Sequence, residues 1–199
     1  MELPARRSYP RPMTDRQVRL VAAALSVAAA AGCSDTGSHA TPTTPPEPPA
    51  THQIRVTSSA VAEGTALPDE YTCAGTGETL PLSWTTPPEI ARFALVVDDP
   101  DAPGGVFTHW IVIDIPATTT AVAEGGFPEG GTALLNSSDR PDYFAPCPPP
   151  GSGTHHYRFT VYALPNRLSL PPQSPLAQSL TAIEGSAVAQ GTLTATYRR

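Results

Sequence analysis

Residues 53 to 199 predict a mostly β domain with one or two short helices, and three observations carry that expectation. Short runs rich in Val, Ile, Phe, Tyr and Thr recur along the segment, several of them alternating apolar and polar residues. Gly and Pro punctuate them, with Pro-Pro steps at 87, 149 and 171. Only 175 to 184 has the composition and length of a helix.

The elements follow in order. Ile54 to Ser58 alternates and reads as a strand, and Leu80 to Thr85 is a short strand containing Trp84. Phe93 to Val97 and His109 to Ile115 are strongly β-prone runs separated by a Pro/Gly loop. His155 to Leu164 alternates most clearly, and Gly191 to Tyr197 closes the chain as a final strand. No internal repeat is present. Phe93, Trp84, Trp110, Phe159 and Tyr162 are the expected aromatic core, with Trp110 facing away from His109 because consecutive strand residues alternate.

The first fifty residues have a different character. Arg16 and Arg19 precede an apolar stretch from Leu20 to Ala31 that ends at Gly32-Cys33, the pattern of a secretory signal peptide over 1–32. Its span of 12 residues falls short of the roughly 20 that cross a bilayer as a helix. Met13 is an alternative start that leaves Arg16 and Arg19 as the basic flank. Ala30-Ala31-Gly32-Cys33 resembles a bacterial lipobox, in which the Cys is acylated, although Ala30 replaces the usual larger aliphatic residue. Residues 33–52, rich in Pro and Thr, read as a flexible tether. The expectation is an exported protein, lipid-anchored to the membrane of the cell envelope through Cys33, with secretion as the alternative.

Past residue 32 the chain carries seven Arg and no Lys against sixteen acids, a formal charge of −9. Nucleic-acid binding requires a basic footprint and is excluded on that ground. The same charge disfavours adhesion to anionic lipid, so a covalent anchor must hold the protein at the membrane. Beyond Cys33 there remain Cys73 and Cys147, which in an exported protein are expected to form a disulfide. Zinc binding by this pair lacks any Cys-x-x-Cys spacing.

The chemistry concentrates in two places. In FALVVDDPDAPGGVFTHWIVIDI, Asp99, Asp101 and His109 fall at strand ends, where a rigid sheet holds them. In PCPPPGSGTHHYRFTVYAL, from Pro146, a Pro/Gly loop delivers His155 and Tyr157 to the start of a strand. Period-two alternation puts His155 and Tyr157 on one face and turns His156 away. Asp98 reads better as a turn-capping residue, while Asp101 fits either a turn or a pocket. Imidazoles beside carboxylates favour their charged form, so His109 and His155 are expected to be cationic donors, with Tyr157 as a neutral donor.

These stretches, together with LPDEYTCAGTGETLPLSW, are the ones by which residues 53–199 resemble the phosphatidylethanolamine-binding protein family, in particular its bacterial Raf-kinase-inhibitor-like branch. The resemblance implies a large antiparallel sheet flanked by a smaller one. It also implies a pocket for a phosphate-like or carboxylate group built from Asp99, Asp101, His109, His155 and Tyr157, with backbone from the loop beginning at Pro146. Ala145 stands where relatives commonly carry Gly. The functional expectation is a binding protein for a small anionic or phospho-head-group ligand, without catalysis, metal or other cofactor. A protein-interaction or protease-inhibitor module using the pocket loops is the alternative. A hydrolase ranks lower, Ser152 in its GSG step reading as an ordinary loop residue, and residues 136–143 are expected at the pocket rim.

Overall fold

The computed structural model describes residues 53–199. The expected leader, its alternative start at Met13, the expected acylation of Cys33 and the expected tether to residue 52 lie outside the described residues. Two antiparallel sheets account for the strands. The smaller orders β1 (Val56–Thr57), β2 (Leu82–Trp84) and β5 (Ala121–Val122). The larger orders β6 (Thr132–Leu134), β4 (Phe107–Pro116), β3 (Arg92–Asp99), β7 (His155–Leu164) and β8 (Ala189–Tyr197). The helical content described is α1 (Leu176–Ser186) and one 3₁₀ turn at Asp69–Tyr71. The mostly β fold and the strand positions thus agree with the sequence. β5 and β6 were not foreseen, because pieces of two and three residues have no periodicity to read.

Why β3 and β4 are apolar almost throughout is clear from what covers them. On one face Phe93, Leu95, Val97 and Val112 pack with Val56, Leu82, Trp84 and Val122 of the small sheet. On the other, Ala94, Val96, Ile111 and Ile113 pack with Leu134, Leu164 and Ile183 of α1. A strand buried on both faces needs an unbroken apolar run rather than alternation. The Trp84 ring meets Phe93 edge-on, centroids 5.8 Å apart, joining the two sheets.

β4 carries two register breaks against β3. Val97 pairs with Trp110 and Asp98 with Thr108, so His109 is an extra residue without a partner across the ladder. The second break lies between the Phe93–Ile115 and Leu95–Val112 pairs and contains Asp114, whose φ is 58°. The buried Asp114 carboxylate is satisfied there by Arg167 Nε at 2.8 Å and the Leu168 amide at 3.0 Å. A bulge bends the strand and re-aims the side chains beside it. Trp110 consequently packs in the same core layer as Tyr157 and Phe159, the layer whose Tyr157 ring meets His109. Simple alternation had placed Trp110 and His109 on opposite faces.

Two glycines test this packing in opposite directions. A Cβ at Gly191 would lie 1.8 Å from the Ile54 carbonyl oxygen, whereas one at Gly185 of α1 meets nothing within 4 Å. Gly191→Ala should lower the urea-unfolding free energy by more than about 2 kcal/mol, while Gly185→Ala should raise it by roughly 0.5–1 kcal/mol.

Candidate functional site

Three acidic positions at and just beyond the end of β3 are tied to the start of β7, each at a different depth. Asp98 accepts both Nε and Nη2 of Arg158 at 2.7 Å, a bidentate pair across the two strands. It is therefore a cross-strand partner and not the turn cap expected from its place before Asp99-Pro100. Asp99 turns inward: Oδ2 accepts from His155 Nδ1 at 2.6 Å and Oδ1 accepts the Asp101 amide at 2.9 Å. The side chains of His155 and Asp99 are only 2% and 4% exposed. Burial without a second charge or donor would be costly for a carboxylate, and the imidazole and amide supply what water would.

Asp101 goes outward. Its Oδ2 accepts the backbone amide of His156 at 2.8 Å and His156 Nδ1 at 2.7 Å, and those bonds hold its carboxyl below the ordinary carboxylate range. Asp101 therefore lies outside the cavity wall. His156 points away from the cavity, as alternation requires.

The cavity has a volume of about 150 Å³. Its polar wall is Asp99, His109, His155 and Tyr157, and its apolar wall includes Phe107, Phe144, Pro148 and Pro149. Pro146 is not on that wall. It is buried, and its carbonyl accepts the Cys73 amide at 3.0 Å, anchoring the loop whose next residues reach the cavity. Cys147 does line it and is bonded to Cys73, with Cα atoms 5.3 Å apart.

The bulge decides what His109 presents. Nδ1 lies 2.6 Å from the Phe144 carbonyl oxygen. A carbonyl can only accept, so Nδ1 carries the hydrogen and Nε2 is the nitrogen left for the cavity. Behind the bulge, the His109 carbonyl accepts the Phe144 amide at 3.0 Å and Asn136 Nδ2 at 3.4 Å, while the Ser137 amide bonds to the Thr108 carbonyl. Residues 136–143 thus buttress β4 from behind, where a pocket rim had been expected. Only Phe144, just beyond them, reaches the cavity.

Electrostatically the two imidazoles differ. Burial pushes the His109 imidazole below its ordinary value, outweighing the opposing pull of the Phe144 carbonyl and the Asp99 and Asp98 carboxylates. His109 is therefore neutral near pH 7, a correction to the expected cation. The His155 imidazole has both nitrogens engaged, Nδ1 with Asp99 and Nε2 with Ser152 Oγ at 2.8 Å. Tyr157 is fully buried, and its hydroxyl meets no protein partner in hydrogen-bonding geometry. Burial, with the nearby Asp99 carboxylate, raises its ionisation far above the usual phenol range, so it remains a donor at any physiological pH.

Phe107 and Phe144 escaped the sequence reading. Their rings sit 4.8 and 5.9 Å from that of His109. The signal was weak, since an aromatic two residues before a His belongs with equal ease to the core.

Fold and cavity together define a two-sheet β protein of the binding type, with one small buried polar pocket at the ends of its central strands. The chain belongs to the phosphatidylethanolamine-binding protein family, whose model matches residues 57–198. It is 44% identical over 149 residues to the Mycobacterium tuberculosis protein named "Putative lipoprotein LppC", covering 75% of this chain and 74% of that one. It is 46% identical over 154 residues to UPF0098 protein Rv1910c of the same organism, covering 76% and 74%. Among solved structures, Escherichia coli YbcL, described as a member of the mammalian family, superposes with a TM-score of 0.70 at 28% identity, covering 74% of this chain and 99% of YbcL. The Chlamydia trachomatis homologue CT736 superposes at 0.69 with 33% identity, covering 74% and 98%.

Two outcomes follow from the site's construction. Because folding depresses the His109 imidazole from its ordinary 6.5, the unfolded chain binds this proton more readily. Its contribution is complete above that value and is lost as pH falls below it, with a slope of at most about 1.4 kcal/mol per pH unit. Urea unfolding between pH 7.5 and 5 should show a shallower loss in His109→Gln than in the native protein. The disulfide closes a separation of 74 residues. Chain entropy assigns such a bridge roughly 4–5 kcal/mol, so Cys73→Ser should lower the unfolding free energy by several kcal/mol and make it insensitive to reductant.

Proposed function

We propose that this protein binds a small phosphate-like or carboxylate group, such as a phospho-head group, in the Asp99–His109–His155–Tyr157 cavity, while held at the cell envelope by acylated Cys33. The anchoring half of this reading is supported by the leader and Cys33 in the sequence and by the name of the mycobacterial relative. The ligand half rests on one observation above the others: a fully buried tyrosine hydroxyl on the cavity wall has no protein partner. Buried polar groups are almost always hydrogen-bonded, and one held as a donor beside an imidazole suits an anion. His109 Nε2 must gain a hydrogen to become the second donor. Binding is thus coupled to proton uptake.

Apolar side chains near the mouth favour a second reading, a protein partner docking on the loops: Val106 is 56% exposed and Phe144 40%. A thermal-shift titration of the purified protein with inorganic phosphate, phosphoethanolamine and acetate separates the two. A native-state ligand raises the melting temperature in a concentration-dependent way, stabilising by RT ln(1 + L/Kd) at free ligand concentration L. Tyr157→Phe removes only an unsatisfied hydroxyl, so the free protein should be as stable as the native one or more so. Its phosphate affinity should nevertheless fall about tenfold or more, since a hydrogen bond to a charged group contributes about 1.5–3 kcal/mol. Affinity should also rise as pH drops through the ordinary histidine range, with net proton uptake visible when calorimetry is repeated in buffers of different ionisation enthalpy. No response to any anion, or equal phosphate affinity in Tyr157→Phe, would leave the protein-docking reading in possession.

A further inference from the structure

Ser152 stands in a Gly-Ser-Gly step, flanked by Gly151 at φ 79° and Gly153 at φ 97°, conformations that L side chains rarely adopt. The loop holds the serine at the surface with its Oγ 2.8 Å from His155 Nε2. His155 Nδ1 is in turn 2.6 Å from Asp99 Oδ2. Hydroxyl, imidazole and carboxylate thus form one continuous line, with the outer member exposed and the inner two almost fully buried.

The hydrogens in this line are constrained. The carboxylate accepts, so His155 Nδ1 carries a hydrogen. In the neutral ring Nε2 is then a lone pair facing the serine. The hydroxyl has a single hydrogen and two acceptors within reach, His155 Nε2 and the Pro149 carbonyl at 2.7 Å. With the hydrogen on Pro149, Nε2 must itself donate and His155 is an imidazolium paired with Asp99. With the ring neutral, the hydroxyl turns to Nε2 and becomes an activated nucleophile. A nucleophile within hydrogen-bond reach of a base that a third group orients is the arrangement that acyl transfer uses, and it arises on unrelated folds in different chain orders. Here the order is Asp99, Ser152, His155.

We propose that Ser152, His155 and Asp99 are a nucleophile, general base and orienting carboxylate that hydrolyse small acyl esters. Oγ bonds to the ester carbonyl carbon as its proton passes to Nε2. The carbon–oxygen bond to the alcohol then breaks, and Nε2 returns the proton to the departing alkoxide. Water, deprotonated by the same nitrogen, attacks the acyl-serine and frees the acid, restoring the Ser152 hydroxyl. The apolar wall of Phe107, Phe144, Pro148 and Pro149 adjoins His155 and suits a short acyl chain. The unpartnered Tyr157 hydroxyl on the same wall is a donor available to the carbonyl oxygen as it gains charge. This activity shares Asp99, His155 and Tyr157 with the anion-binding reading and departs from the expectation of a protein without catalysis.

The test uses the purified protein, a fluorophosphonate probe read by peptide mass, and p-nitrophenyl butyrate as substrate. The expected result is one adduct, at Ser152, together with turnover above the buffer rate. Ser152→Ala should abolish both, and His155→Gln and Asp99→Asn should each slow them at least tenfold. Because Ser152 lies on an exposed loop, its alanine variant should stay folded, losing at most a few degrees of melting temperature to the freed His155 Nε2, whatever becomes of the buried variants. Labelling that is absent or falls elsewhere, labelling without turnover, or turnover undiminished in folded Ser152→Ala would overturn the proposal.

Discussion

Burial of β3 and β4 on both faces is the constraint from which the rest of the molecule follows. Small sheet on one side and α1 on the other leave no solvent face along these strands, so polar side chains survive only where the ladder ends or is broken. The ends of β3 and the two irregularities in β4 are where they are found: Asp98 and Asp99, His109, and Asp114. A polar pocket assembled there inherits the rigidity of the strands that carry it, yet it interrupts no core layer.

The three acids near the β3 terminus show how one short sequence is graded by depth. Asp98 and Arg158 form a half-exposed fork that fixes the register of β3 against β7. Asp101 and His156 form an exposed pair, of the kind that adds little to stability. Asp99 and His155 are sealed from water, and there the loss of either partner would strand a buried polar group. The innermost pair is thus the one whose geometry the fold must hold, and the Cys73–Cys147 bridge and the Pro146 carbonyl secure the neighbouring loop that closes over it.

Protonation ties structure to function. Depressed by burial, His109 is a neutral ring whose cavity-side nitrogen accepts, and only an incoming anion makes its charged form favourable. His155 is joined to Asp99 through Nδ1 and to the Ser152 hydroxyl through Nε2. The anion-binding and ester-hydrolysis proposals therefore draw on the same few side chains.

Composition and periodicity alone determined a great deal. The β class, the long strands, the helix near 175–184, the inward pair His155 and Tyr157 and the outward His156 were all legible, because each depends on local alternation or on a strong apolar run. A resemblance carried by three motifs added the two-sheet plan. Tertiary structure decided what crosses between elements. Whether Asp101 faces the cavity depends on a bond to His156, fifty-five positions away. His109 and Trp110 share a core side because one unpaired residue shifts the β4 ladder, and no local pattern announces a bulge. Burial, and with it the charge of His109, is set by residues brought together from distant parts of the chain. Ser152 looked like loop filler until folding laid its hydroxyl against His155.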